Sequence, residues 1–328
     1  MADDVRLSFC ITTRNRAAYI GQTLENVLEQ CPPDVEVVVV DGASTDNTVD
    51  VVRAIAASHP NLRLVTPERN SGLDADYDLS VREARGTYCW MFTDDDLLVP
   101  GAVQRVLAAC STNPIAVVPD ASVHSVDLGE VERDRRLPRD GKERYSAEEG
   151  QALFRDCGYH LTFIGAVVVR RDFWLSRERK AYFGTEFVHC GVLFQAPLPG
   201  DVLVIREPLV RIRHGQGNWL DRWFEVWAVK WPRLLWSFEW IDESARRSVS
   251  EKEPWSNPKS LLYYRAKGWY DWKRFRKFVV PLTGRRAKLA IPLLIAAMPE
   301  SLARNAVAAG VRILSVGRRV WRTPGTST

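Results

Sequence analysis

The sequence predicts an α/β fold in which an open, mostly parallel central sheet is flanked by helices and followed by a helical, basic C-terminal region. Three observations predict it. Short apolar segments alternate with helix-periodic segments over residues 1–118, and the connections between them are short. Residues 35–40 form a nearly unbroken β-branched run, the composition of a parallel strand buried on both faces.

The elements follow in order. Leu7, Phe9 and Ile11 alternate with Ser8, Cys10 and Thr12, which predicts a strand over 7–12. Asn15 can cap a helix carrying Ile20, Leu24, Val27 and Leu28 at helical spacing, and Pro32 and Pro33 end it. After the β-branched strand, Ser44, Thr45, Asp46, Asn47 and Thr48 offer capping side chains for a helix with Val49, Val52, Ile55 and Ala56 on one side. Residues 62–65 read as a strand, 70–86 as a loop and then a helix, 87–92 as a strand, 102–110 as a helix and 114–118 as a strand. Beyond them, 120–145 is charged and turn-rich, the pattern of a surface loop or hairpin insertion. Ser146 and Glu149 fit a capping box. Residues 161–169 form an apolar strand candidate, and 201–205 with 208–212 a strand pair.

Composition narrows the class. With 328 residues the chain can bury about three quarters of its unfolded surface, enough for one large domain or two smaller ones. The six cysteines are scattered, with no CxxC pair and no Cys/His cluster, so neither a zinc site nor a disulfide framework is expected and a reducing compartment fits. The start Met1-Ala2-Asp3-Asp4 lacks the basic and apolar regions of a secretory signal, which predicts a cytosolic chain. The net charge of +4 hides an asymmetry: from Lys259 onward 15 Lys and Arg face only Asp271 and Glu300, leaving −9 for residues 1–258. Body and tail should therefore meet different partners.

The chemistry concentrates at Asp94-Asp95-Asp96, where an apolar strand runs into three consecutive carboxylates closed by Pro100. Three anions at one strand end repel unless a cation sits there. A divalent metal carrying a polyphosphate would serve, whereas the plainer alternative is a solvated turn in which one Asp caps the next helix. In open parallel sheets ligands sit outside the carboxyl ends of the strands. That rule puts Thr12, Thr13 and Arg14, Asp41 to Ser44, and the triplet on one rim. Asp41 can accept from the N3–H of a uracil or from a ribose hydroxyl, with Thr12 and Arg14 lining the other side of the base. The triplet can hold a ribose and a Mg2+ or Mn2+ that neutralises a diphosphate. These needs describe a nucleotide-sugar donor.

The order of these clusters resembles glycosyltransferase family 2, inverting enzymes of the GT-A fold that use nucleotide-sugar donors. The resembling residues are Ser8 to Arg16, Val37 to Thr48, Arg69-Asn70-Ser71-Gly72, and Gly86 to Pro100, together about the first 110 residues. The first motif reads Thr12-Thr13-Arg14-Asn15-Arg16, where a Pro and a Tyr often precede the Asn; here it is similar to the subset of O-antigen abequosyltransferases. The resemblance implies nucleotide binding by Thr12, Arg14, Asn15, Asp41, Ser44, Asn70 and Asp94. By distance back from Pro100, Asp95 or Asp96 is the metal candidate. Asp74 stands where relatives often carry a small or basic residue near the donor sugar; alternatively it caps the following helix. An inverting transfer needs a general base, usually an Asp or Glu at a helix start in the second half. Glu186 is the best match and Asp172 the runner-up, although either could be a first-turn acid favoured by the helix dipole. His189 is the kind of lone histidine that is usually structural. His214, before Gly215-Gln216-Gly217, is a candidate metal ligand, and Arg211 and Arg213 could neutralise a diphosphate or stand solvated.

The resemblance divides the chain into a catalytic domain over 1–220, with a nucleotide-sugar half (1–118) and an acceptor-side half (119–220), and a helical, aromatic and basic region over 221–328. In that tail, basic clusters alternate with Trp, Phe and aliphatic residues, but no apolar stretch reaches the ~18 to 20 residues of a membrane span. Amphipathic helices of this kind suit an anionic membrane surface, where a polyprenyl-diphosphate-linked acceptor would lie; the alternative is a helical cap with a solvated basic face. No nucleic-acid recognition motif is present. The expected function is a metal-dependent inverting transfer of a sugar to a saccharide or lipid-linked acceptor in surface polysaccharide assembly, peripheral at the inner face of the cytoplasmic membrane. The rivals are a sugar-nucleotide pyrophosphorylase, whose Gly-rich, Arg-bearing first loop is absent here, and a non-catalytic binding protein of the same fold.

Overall fold

The structure is a computed structural model and describes residues 5–215, 222–283 and 286–315. The chain divides into two compact units near residue 216, and 238–245 returns to the first of them. The first unit carries one sheet. Its strands are β1 (Leu7–Thr13), β2 (Val35–Asp41), β3 (Leu62–Val65), β4 (Tyr88–Phe92), β5 (Leu97–Leu98), β6 (Ala116–His124), β7 (Val131–Arg133), β8 (Arg144–Tyr145), β9 (Val167–Arg170) and β10 (Val202–Arg213). The main path runs β3-β2-β1-β4-β9-β6-β10-β5, with β7 on β6 and β8 on β10. β3, β2, β1 and β4 are mutually parallel, as are β6 and β10, while β9 and β5 run against their neighbours.

The helices that return the chain between the first strands are α1 (Ile20–Leu28), α2 (Thr48–Ala56), α3 (Leu73–Glu83) and α4 (Ala102–Cys110). α1 buries Ile20, Leu24, Val27 and Leu28, the face read from its sequence period. β1 and β2 are buried at every position, as a β-branched central pair must be. At the centre of the sheet Trp90 is fully buried, its ring 5.0 Å from Phe9 and its indole N–H bonded to the Gly165 carbonyl at 2.9 Å. Trp90→Ala removes both the packing and a partner for that carbonyl. It should cost about 3–5 kcal/mol in a urea unfolding titration.

Three expectations are corrected here. Residues 161–169 are not one strand: short 3₁₀ turns at His160–Thr162 and Ile164–Ala166 precede β9. The segment is mostly buried either way, and an apolar run cannot by itself separate a strand from compact turns. The pair over 201–205 and 208–212 is a single strand, β10, whose register on β6 shifts around Pro208. A bulge absorbs Arg206 and Glu207, which is how a proline is accommodated in a strand. The surface insertion over 120–145 is shorter than expected, because β6 continues to His124. The capping box at Ser146 and Glu149 is present.

The second unit, described over 222–237, 246–283 and 286–315, is helical. Its core gathers Phe224, Trp255, Leu261, Tyr270, Phe275, Val279 and Ile295. Phe224 stacks on Tyr270 at 4.8 Å, and the Tyr270 hydroxyl donates to the Pro292 carbonyl at 2.9 Å. Pro292 lies in the first turn of the helix Ala290–Ala297, where a missing N–H costs nothing. Among the described residues no helix is long and apolar enough to cross a membrane.

Candidate active site

Parallel register assembles the rim. Thr13 pairs with Asp41 and Ile11 with Phe92, so the residues following β1, β2 and β4 leave the sheet at one edge. At the β2 tip the Ser44 N–H and hydroxyl donate to the two oxygens of Asp41, at 2.9 and 2.5 Å. The Asn15 N–H donates to the Ser44 hydroxyl at 2.9 Å, and the Asn15 side-chain oxygen accepts from the Thr45 N–H at 2.8 Å. Asn15 and Ala43 both hold φ near +60°. Asn tolerates that region, but Ala adopts it only when its surroundings impose it, a feature common at binding loops. Thr12 is buried on this rim and Arg14 is exposed beside it. Asn70 is exposed, with its side chain accepting from the Gly72 N–H at 2.9 Å to turn the loop into α3.

The three carboxylates of the triplet have different surroundings. Arg16 reaches Asp94 at 3.3 Å and also pairs with Asp95. Those two side chains keep 14% and 13% of their surface exposed. Asp96 is buried and both its oxygens are taken: one accepts the Arg213 N–H at 2.7 Å, the other the Thr93 hydroxyl at 2.5 Å. Burial pushes the Asp94 carboxyl up to about 6, with Arg16 pulling it back and Asp95 adding to the push. Burial likewise raises Asp95 against Arg16, and burial with Asp95 alongside raises Asp96 well above the usual range. Three carboxylates here face two guanidiniums, those of Arg16 and Arg213, which leaves a surplus of acidic oxygens, and hard oxygen donors fit a hard divalent cation. Among the described residues no cluster of three or more His, Cys, Asp or Glu is assembled to hold a metal, so any ion here would complete its shell with other oxygens.

β10 approaches the triplet through β5, with Arg211 opposite Leu97. The Arg213 side chain is buried and spent on the Asp95 carbonyl at 3.0 Å, the Val126 carbonyl at 2.6 Å and the Gln22 side chain at 2.7 Å. It is a strut for the triplet loop. Arg211 donates to the Leu128 carbonyl at 2.8 Å. His214 is half exposed and pairs through Nδ1 with Glu132 at 2.6 Å. Gln216 and Gly217 of the loop that follows lie outside the described residues.

α3 carries three buried aspartates with three different environments. Helical geometry puts Asp74 and Asp78 on one face and Asp76 on the opposite one. Asp78 accepts from the Trp174 indole at 3.1 Å and pairs with Arg179 at 2.7 Å. Asp74 accepts the Glu186 N–H at 2.8 Å and the Val188 N–H at 3.0 Å. Asp76 is 4% exposed, and its Oδ1 is buried without a hydrogen-bond partner. Its Oδ2 abuts the β2 tip so closely that a Cβ on Gly42 would meet it at 2.9 Å. Burial, with Asp41 nearby and Arg14 opposing, pushes Asp76 up to about 6.

Asp76 and Arg16 are the site residues that sequence reasoning missed. Their signals were an Asp inside the buried span of a helix, and a second Arg two residues after Arg14. Asp76→Asn carries a signed prediction. The folded carboxyl ionises near 6 against an ordinary 3.8, so its contribution to stability is full below about pH 4 and is lost as pH rises through about 6. An Asn cannot ionise. The variant should melt above the parent at pH 8, with the gap closing toward pH 4.

Glu186 lies between Gly184 and the helix Val188–Phe194, with φ of +73°. His189 is buried, with Nε2 bonded to the Leu161 carbonyl at 2.8 Å. Asp172 is displaced from the site, which corrects its candidacy as base. β9 runs antiparallel to β4 and pairs Arg170 with Tyr88, so its carboxyl end emerges at the edge opposite the triplet. There Asp172 is 71% exposed and holds Arg170 at 2.6 Å beside a cleft of about 450 Å³.

The fold and rim together define an α/β unit of the GT-A type. The first 349 residues of TarS from S. aureus, solved in complex with UDP, superpose with a TM-score of 0.55 at 15% identity, covering 92% of both chains. Residues 8–169 match the glycosyl transferase family 2 model, and the chain belongs to that family. It is 27% identical over 222 residues to the abequosyltransferase RfbV of Salmonella typhimurium, covering 63% of this chain and 66% of the relative. It is 34% identical over 101 residues to the chondroitin synthase of Escherichia coli, covering 31% of this chain and 15% of the relative. This chain thus spans less than two thirds of the length of either relative.

Proposed function

We propose that the protein is a metal-dependent inverting glycosyltransferase that moves a sugar from a nucleotide-sugar donor to a saccharide or lipid-linked acceptor in surface polysaccharide assembly. The observation that carries this reading is the surplus of carboxylates at the β4 tip, on one rim with Asp41 and Asp76, in a chain of family 2. The TarS structures hold UDP and UDP-GlcNAc, which supports a nucleotide-sugar partner and ranks UDP first. The abequosyltransferase relative supports a polysaccharide acceptor.

In this reading Asp41 and Asp76 bind the base end of the nucleotide, with Thr12, Arg14, Asn15 and Ser44 shaping the pocket, and Asp94 takes the ribose. Asp95 would hold Mn2+ or Mg2+, with Asp94 beside it; His214 is a further candidate. The ion would supply positive charge to the leaving diphosphate. Asp96 and Arg213 keep the triplet loop in place. Glu186 accepts the proton of the acceptor hydroxyl as its oxygen bonds to C1. The C1–O bond to the diphosphate breaks with its electron pair on the diphosphate, and the configuration at C1 inverts. A thermal-shift screen of UDP-, GDP-, CDP- and dTDP-sugars tests the donor claim. One of them should raise Tm more with Mn2+ than with EDTA, and no shift by any would contradict it.

The second unit supports attachment to an anionic membrane surface on the cytoplasmic side. Of the nine large hydrophobic side chains exposed among the described residues, six belong to it, Trp272, Val280, Leu282, Ile291, Leu294 and Leu302. The helix Ala290–Ala297 is apolar all round, yet its Ile291 and Leu294 face is exposed, next to a sequence rich in Lys and Arg. The full chain should float with vesicles containing anionic lipid, and Ile291→Ser with Leu294→Ser should abolish flotation. Equal partitioning of the two would leave the helical cap as the role of this unit.

A further inference from the structure

Asp74 was expected either to touch the donor sugar or to cap its own helix. Its surroundings support neither. It is 4% exposed, and both carboxylate oxygens are occupied by backbone N–H groups 112 and 114 residues away, those of Glu186 and Val188. Between them, the Phe187 N–H is taken by the Thr185 hydroxyl at 3.1 Å. Three successive N–H groups are therefore fastened, two of them by one side chain.

The backbone they belong to is unusual. Gly184 holds φ of +85°, and Glu186 holds +73° without the excuse of being a glycine. A glutamate adopts that conformation only when its surroundings over-determine it. Within the loop the Thr185 hydroxyl donates to the Tyr182 carbonyl at 2.7 Å, and the Thr185 N–H reaches the same carbonyl at 3.2 Å. The charged acceptor that grips the Glu186 N–H itself is Asp74, and charge-assisted bonds of this kind are the stronger ones. Asp74 sits in the first turn of α3, two residues before Asp76 at the nucleotide rim. One short helix thus carries a group for the donor site and the clamp on the Glu186 loop.

We infer that Asp74 is a positioning residue, whose two hydrogen bonds hold Glu186 in its left-handed conformation and so fix where its carboxylate meets the acceptor hydroxyl. This inference rests on the reading of Glu186 as the general base. Asp74 itself touches neither donor nor acceptor.

The test is a double-mutant cycle of Asp74→Asn and Glu186→Gln, read as hydrolysis of whichever UDP-, GDP-, CDP- or dTDP-sugar raises Tm most, with Mn2+ present. The isosteric Asn retains one acceptor and loses the charge. Asp74→Asn should lower kcat about 10- to 100-fold, the scale of a misplaced catalytic group, and leave the donor KM within about twofold. In the Glu186→Gln background it should cost nothing further. A group that merely supports the fold would cost the same in both backgrounds, and that result overturns the inference. So does a raised donor KM at unchanged kcat, which would return Asp74 to the donor sugar. If Glu186→Gln keeps parental kcat, the base reading itself fails, whatever Asp74→Asn does. Should Asp74→Asn fail to give the nucleotide-dependent Tm shift of a folded protein, Asp74→Ser, which keeps one acceptor oxygen, carries the same comparison.

Discussion

Glu186→Gln lowers turnover of the nucleotide sugar by about 10²- to 10⁴-fold while nucleotide binding stays at the parental level, because positioned proton transfer contributes on that scale and the amide cannot accept the proton. The substitution preserves size, and the main chain remains held by Asp74 through the Glu186 and Val188 N–H groups. The loss should therefore fall on kcat alone, measured by steady-state kinetics beside a calorimetric nucleotide titration. The contrast with Asp172 is part of the same prediction. Asp172→Asn lies at the opposite sheet edge and leaves kcat unchanged. If Asp172→Asn abolished turnover and Glu186→Gln did not, the acceptor side of the account would be wrong.

Asp95→Asn separates the roles within the triplet. A metal-bound leaving group is worth several kcal/mol of barrier, so losing the ligand should cost about a thousandfold in turnover and remove the difference between Mn2+ and EDTA. Stability should change little, since the isosteric Asn still accepts from Arg16 and no longer carries a charge that burial disfavours. Asp96→Ala should behave in the reverse manner. It strands the Arg213 N–H and the Thr93 hydroxyl inside the protein, for about 2–3 kcal/mol of lost stability in urea. A variant pair in which Asp96, and not Asp95, carried the metal dependence would reassign the ion within the triplet.

Much of the first half of the chain was legible because its signals are local. β1, β2, α1 and α4 declare themselves by period, and the rim follows from the rule that ligands gather at strand ends. What was not legible depends on contacts that no spacing encodes. The pairing of Asp74 with residues 186 and 188, and of Asp96 with the Arg213 N–H across 117 residues, exists only once the sheet is assembled. Strand direction had the same effect on Asp172. Its position near a helix start was read correctly, but the antiparallel course of β9 carries it away from the rim. Asp76 was hidden for a further reason: within α3 it looks like one of three ordinary acids, and only burial without a partner singles it out.

The most direct test of the central claim is the anomeric configuration of the sugar released at early times, followed by proton NMR with a nucleotide sugar, the intact chain and Mn2+. The account predicts that the inverted anomer appears first, with Mn2+ and not with EDTA, and that Glu186→Gln slows its appearance. Release of the retained anomer first, or equal release in EDTA, would contradict it.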